Sequence, residues 1–354
     1  MNIWQGAHDT QWNQSNHWEQ LQDELAAAYL VDGLPVVPPT LARVSDMLAH
    51  NGYAADEAIA MLPPGFENAT AGDIAICAVM AGCKPEYLPV LIAAVDALSD
   101  MSFNLVGIGT TTGSAAPIYI VNGPIVERIG LNGKNNALGG GHRANATIGR
   151  AMTLILQNIG GAIPGETDMT TLGQPAKYSC CFAENVDESP WAPLHVERGF
   201  AADKSVVTVV GVSGTGEVND SDSQSALDMA QTFAQSMLIA GISGGSGLLG
   251  GGEPLCILPP EWAAMFHRDG LTKAQTKAAI WERAVLPIDK LPPALRKHRM
   301  DAAADPSANI IRVAEKADDL MIVVAGGVGR KAAYLPTWGG TTKAISREIK
   351  LRKS

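Results

Sequence analysis

Five short apolar runs constrain this chain most. "PIYIV", "SVVTVVGV", "PLCIL" and "LMIVV" are rich in Val, Ile and Leu, "SCCFA" in Cys and Phe, and the runs are bounded by Gly, Pro or polar residues. Runs of that length read as short strands, the one at "LMIVV" as a buried one. Between them lie longer runs with helical spacing, including "TAGDIAICAVMAG", "KPEYLPVLIAAVDALSD", "HRANATIGRAMTLILQNIGG" and "SQSALDMAQTFAQSM". Helices interleaved with short strands give an α/β (or α+β) class, with mixed sheets, flanking helices and glycine-rich strand-to-helix loops. The helix at "TAGDIAIC" opens on Thr70 and Asp73 at capping-box spacing, and Thr40 reads as a cap for "LARVSDMLAH". "NLVGIGTTTGSAAPIYIVNGPI" reads as strand, turn, strand. No fixed-period repeat is visible.

The chain has 354 residues, enough for two domains. Residues 1–14 read as an N-terminal arm, 15–200 as an α/β domain carrying most candidate site residues, and 201–354 as a second α/β domain. The net charge is -10, and the longest basic run, "RKHR", is short. Nucleic acid and anionic membrane are therefore poor partners. No apolar run reaches the roughly 20 residues of a bilayer span. The first residues have neither a basic region nor an apolar core, so no signal peptide is read there. Five cysteines, two of them adjacent, do not form a disulfide framework; they read as free thiols in a cytoplasmic setting.

Four stretches carry candidate chemistry. In "MAGCKPEYLPVL", Pro85 reads as the first turn of a helix, which puts Cys83 at its cap beside Lys84. A thiol facing free N–H groups and a helix dipole has a lowered pKa. Pro89 opposes this, because a helix starting there leaves Cys83 a packed core thiol. In "GGGHRANATIGR", three glycines precede His142, Arg143, Asn145 and Thr147 at a helix start near Ala146. Free N–H groups with Arg143 and Arg150 form an anion site, and His142 is a candidate acid or base. The bland reading is a capping turn with solvated arginines.

In "KYSCCFAENVDESPWAPLHVERG", alternation points Tyr178, Cys180, Phe182 and Glu184 one way and Ser179, Cys181, Ala183 and Asn185 the other. Cys181 and Glu184 are candidate catalytic groups there, and Asn185 a binding group. His195 and Glu197, read on one side of an extended segment, are weak metal candidates without a third ligand. Finally, "VVAGGVGRKAA" has a dinucleotide-like glycine spacing. It lacks the following helix, strand and acid, so no NAD or nucleotide is expected. The cofactor stays open, with a metal possible.

Taken together, "DGLPVVPPT", "MAGCKPEYLPVL", "NALGGGHRANATIGRA", "GQPAKYSCCFAEN", "SPWAPLHVERGF" and "VVAGGVGRKAAYLPTWG" resemble an uncharacterised bacterial family associated with small proteins carrying a UGSC or CGSC selenocysteine or cysteine motif. The resemblance covers most of residues 30–340. It implies a catabolic enzyme component and a small Cys- or Sec-containing partner subunit. Trp262 stands where that family is expected to carry His.

The expectation is a cytoplasmic, homo-oligomeric enzyme for a small organic anion. Cys83 acts as thiolate, His142 or Glu184 moves protons, and the reaction is an addition or elimination, as in a lyase or hydratase. A thiol oxidoreductase component working with the Cys/Sec partner, and a non-catalytic scaffold subunit, are the alternatives.

Overall fold

The computed structural model describes residues 18–238, 252–302, 309–339 and 342–352. The arm read at residues 1–14 lies outside them. The elements run α1 (Trp18–Ala27), α2 (Leu41–Asn51), β1 (Ala58–Leu62), β2 (Glu67–Thr70), α3 (Ala71–Ala81), α4 (Leu88–Leu98), α5 (Leu105–Thr110), β3 (Ala116–Asn122), α6 (Ile125–Ile129), α7 (Arg143–Asn158), β4 (Cys181–Ala183), α8 (Leu194–Glu197), β5 (Val206–Val212) and β6 (Gly216–Asn219). They continue with α9 (Ala226–Ser236), β7 (Leu255–Leu258), α10 (Pro260–Arg268), α11 (Lys273–Arg283), β8 (Val285–Pro287), α12 (Pro293–Ala302), β9 (Ile310–Arg312), β10 (Met321–Val324), β11 (Lys331–Leu335) and β12 (Ile345–Glu348). Mixed sheets with flanking helices bear out the α/β (or α+β) class.

Two four-stranded sheets organise the chain, in the orders β4-β3-β5-β12 and β10-β7-β11-β6. Side-chain alternation divides the apolar residues into three layers. Ile118, Ile120, Phe182 and Val210 of one sheet meet Leu255, Ile257, Val323 and Leu335 of the other. On the outer face of the first sheet, Tyr119, Val121, Cys181 and Val207 pack with α3, α4 and α7. On the outer face of the second, Cys256, Ile322 and Tyr334 pack with α9, α10 and α11. The order is helix, sheet, sheet, helix. It explains why the strand runs are apolar without a break: both faces are covered.

The halves repeat one topology. β3 runs parallel to β4, and β7 parallel to β10, each pair joined through helices. β5 then returns antiparallel beside β3, and β11 antiparallel beside β7. The last strand of each unit crosses over: β6 pairs with β11 and β12 with β5. The sequence shows no period because residues are not repeated; the path is. A boundary at 200–201 does not separate the sheets, since β5 and β12, both beyond it, belong with β3.

Local capping follows the sequence closely. Thr70 and Asp73 form the capping box of α3, and Thr40 caps α2. One strand expectation fails. Residues 105–110 form the short helix α5, capped by the Asn104 side chain.

Candidate functional site

Register builds the site. Tyr119 pairs with Cys181, Ile120 with Phe182 and Val121 with Ala183. The next residues, Asn122 and Glu184, leave the carboxyl ends of the two parallel strands side by side. Both follow Ile120 and Phe182 by two, so both point between the sheets. Asn122 Nδ2 donates to Glu184 Oε2 at 2.7 Å, and the Leu194 N–H at the start of α8 donates to the same oxygen at 2.7 Å. Glu184 Oε1 has no partner and Glu184 is only 4% exposed. Burial pushes its carboxyl above the usual range, against the opposing charge of Lys273 and the hydrogen bonding of the Leu194 backbone, Asn122 and the Val324 backbone.

Asn122 and Glu184 line a cleft of about 680 Å³ together with Lys134, Asn185 and His195. The loop 132–134 forms one wall. It passes so close to β4 that a side chain at Gly133 would lie 2.3 Å from the Ala183 carbonyl oxygen. The second half of the chain helps hold this wall. The Asn185 N–H donates to Val324 O at 2.8 Å, Asn185 Nδ2 donates to Gly326 O at 3.2 Å, and the Gly326 N–H donates to Gly133 O at 2.9 Å. His195 is buried on α8, with Nε2 3.4 Å from Ala202 O. That carbonyl can only accept, so Nε2 is the donor, and Nδ1 has no partner.

Cys83 is elsewhere and is packed. α3 ends at Gly82, a 3₁₀ turn covers Pro85–Tyr87, and α4 begins at Leu88 with Pro89 in its first turn. The Cys83 N–H closes the end of α3 on Ala78 O, so its thiol caps no helix start. Sγ donates to Thr147 O at 3.3 Å, and burial pushes the thiol up to about 12. The expected thiolate is thus replaced by a neutral, inert thiol. Cys181 lies in the same outer core, close enough for charge on Cys83 to disfavour charge on it, and burial pushes its thiol well up. Both are free cysteines. Lys84 is exposed.

The expected anion site is already occupied by the protein's own acceptors. Arg143 donates from Nε and Nη2 to Gly82 O at 3.0 and 2.9 Å. Arg150 makes a bidentate pair with Asp32 at 2.7 and 2.8 Å. The Thr147 hydroxyl bonds back to Arg143 O, and His142 sits exposed at the helix start without a capping bond. Asn145 has a different use. It is buried, accepts from the Asn132 N–H and donates to Asn132 O, both at 2.8 Å. It holds the cleft wall.

The metal pair is also corrected. α8 is helical, so residues two apart diverge instead of sharing a side. Glu197 pairs with Lys273 at 2.8 Å and with Lys277, while His195 faces the cleft. Among the described residues, no group of three or more His, Cys, Asp or Glu side chains is placed to hold a metal. No described helix is long and apolar enough to cross a membrane.

Asn122 and Lys134 were not read from the sequence. The signal for Asn122 was a lone amide ending an apolar strand before Gly-Pro. Comparison with known proteins adds no relative: no family model, curated protein or solved structure matches the chain.

Proposed function

We propose that the cleft at the ends of β3 and β4 is the active site of an enzyme that adds to, or eliminates from, a small polar substrate by general acid–base catalysis, a lyase or hydratase. One observation carries this reading: a buried carboxyl and a buried imidazole, each with an unpartnered atom, Glu184 Oε1 and His195 Nδ1, line the same cleft. Such a pair supplies the acid and the base of an elimination. His195 Nδ1 takes a proton from carbon, and that C–H electron pair becomes the new double bond. The C–O bond breaks toward oxygen, and Glu184 Oε1 supplies the proton that completes water. Addition is the same path reversed. Each group is worth about 10²- to 10⁴-fold.

The thiolate has no part in this scheme. Its burial takes from the oxidoreductase alternative the thiol it relied on, although Cys180 is only half-buried, and the concave cleft argues against a bare scaffold. Lys134, at the rim 3.0 Å from Asp187, suits a single substrate carboxylate.

The test is proton exchange. Purified protein in D₂O is incubated with small 3-hydroxy- and 3-amino-monocarboxylates, and ¹H NMR follows loss of the C2 proton signal and appearance of alkene. Exchange that is lost in His195→Gln and Glu184→Gln but kept in Cys83→Ala is expected. Exchange unchanged in both cleft variants overturns the proposal.

A further inference from the structure

The buried end of the cleft gathers unpaired hydrogen-bond acceptors. Four lining residues carry a buried side-chain atom without a partner: Asn122 Oδ1, Glu184 Oε1, Asn185 Oδ1 and His195 Nδ1. Each of these residues is at most 4% exposed. Neither amide oxygen can be relabelled as a donor, and Glu184 Oε1 accepts once the carboxyl is ionised, a form that a cation beside it favours. Asn122 Nδ2 is fixed by Glu184 Oε2, and Asn185 Nδ2 by Glu188 Oε2 at 2.6 Å and by Gly326 O. His195 Nε2 faces the Ala202 carbonyl. An amide whose nitrogen is committed to an acceptor presents its oxygen to the other side.

Acceptors left buried and unpaired are costly, and a site that contains several is built for a ligand that donates. The lining charges point the same way. Glu127, Glu184 and Asp187 are set against the lone lysine Lys134. A hydroxyl brings one donor and no charge. A primary ammonium brings three N–H donors and a positive charge.

Building on the acid–base reading of this cleft, we propose that its buried end is a recognition site for a primary ammonium group, so that the substrate is a small amino compound and ammonia the group lost or added. The ammonium donates to Asn122 Oδ1, Asn185 Oδ1 and, with the carboxyl ionised by its presence, Glu184 Oε1, while His195 Nδ1 faces the adjacent C–H. In the elimination, the C–N electron pair stays on nitrogen, which departs as NH₃ and needs no acid. The carbon proton goes to His195 and the C–H pair forms the double bond.

The matched probes are 3-aminopropanoate and 3-hydroxypropanoate, which differ only in the group offered to the cluster. Isothermal titration on the full chain at constant ionic strength is expected to show at least tenfold tighter binding of the amine. Asn185→Ser is expected to weaken the amine several-fold and leave the hydroxyl compound unchanged. The wild-type comparison needs no variant to fold. Equal binding of the two probes overturns the ammonium assignment, whereas the acid–base reading falls only if the D₂O exchange survives in both cleft variants. Binding of Mn²⁺ that excludes 3-aminopropanoate also overturns it, because the acceptors would then be metal ligands. Amine binding unaltered in both Asn185→Ser and Glu184→Gln places the ligand elsewhere and does the same.

Discussion

Asn122 and Glu184 lie 62 residues apart in the chain and are joined by a 2.7 Å hydrogen bond. The bond runs across the carboxyl ends of two parallel strands, where a sheet opens and side chains can reach a ligand. It also fixes which glutamate oxygen faces the cleft. Oε2 is committed to Asn122 and Leu194, so Oε1 is the working atom.

Replacing Glu184 separates that chemistry from packing. Glutamine keeps an oxygen for the Asn122 and Leu194 donors and loses only the titratable proton. Glu184→Gln is expected to fold with a melting midpoint close to wild type and to lose about 10²-fold or more of the exchange activity. Glu184→Ala strands two buried donors, at about 1–3 kcal/mol each. The pH dependence has a definite sign. The folded-state carboxyl titrates above the ordinary glutamate value of 4.5, so the folded state holds the proton longer than the unfolded chain. Its contribution is most favourable below that value and is eroded as pH rises through the folded one. Glu184→Gln should flatten that alkaline-going decline in urea titrations; an unchanged slope would remove Glu184 as its source.

Cys83 should behave as a core residue. With its thiol pushed up to about 12 and its sulfur bonded to Thr147 O, alkylation at neutral pH is expected to follow unfolding of the chain. It should not follow the titration of a surface thiol. Iodoacetamide labelling followed by peptide mass mapping gives the rate. Fast labelling at Cys83 in the native protein would restore the activated thiol, and loss of activity in a folded Cys83→Ala variant would do so independently.

The parts of this fold that depend on neighbours in sequence were legible. Alternation in "SCCFA" assigned Cys181 and Phe182 to opposite faces, and Thr70 and Asp73 announced a helix start. Glu184, Asn185 and His195 stood out as polar residues leaving apolar segments. What failed depends on distant partners. Pro85 suggested a helix start at Cys83, but a 3₁₀ turn intervenes and the Cys83 N–H is spent closing α3. Arg143 and Arg150 read as free cations until Gly82 O and Asp32, from the other end of the domain, claimed them. The exchange of β6 and β12 between sheets leaves no trace in local periodicity, so a cut near residue 200 looked natural. Asn122 gained meaning only once β3 and β4 were placed in register.

Gly133 is a steric test of the cleft wall. The space for a side chain is already filled by the Ala183 carbonyl, and backbone cannot rotate away as a flexible side chain does. Gly133→Ala is expected to destabilise by about 2 kcal/mol and to shift loop 132–134, weakening ligand binding more than turnover. Chemical denaturation and titration of the same sample check both. A variant as stable as wild type would show that the wall yields.

The last prediction concerns the charges around Glu197, on the same short helix α8 as His195. Glu197 is the shared partner of Lys273 and Lys277, both buried. Burial pushes its carboxyl up, but the two ammonium groups outweigh that and hold it below the usual glutamate range. Its stabilisation is therefore full above the unfolded-state value and is lost as pH falls through the lower folded one. Glu197→Gln leaves two buried lysines with one charge partner fewer. The expected loss near neutral pH is about 2 kcal/mol, below the penalty of a sealed pair because Glu197 keeps some contact with water. The difference between variant and wild type should shrink on acidification, as the wild type loses the same charge. Melting midpoints measured at steps from about pH 7 down to about pH 3 decide the matter, and a gap constant across that range would show that Glu197 acts there by packing alone.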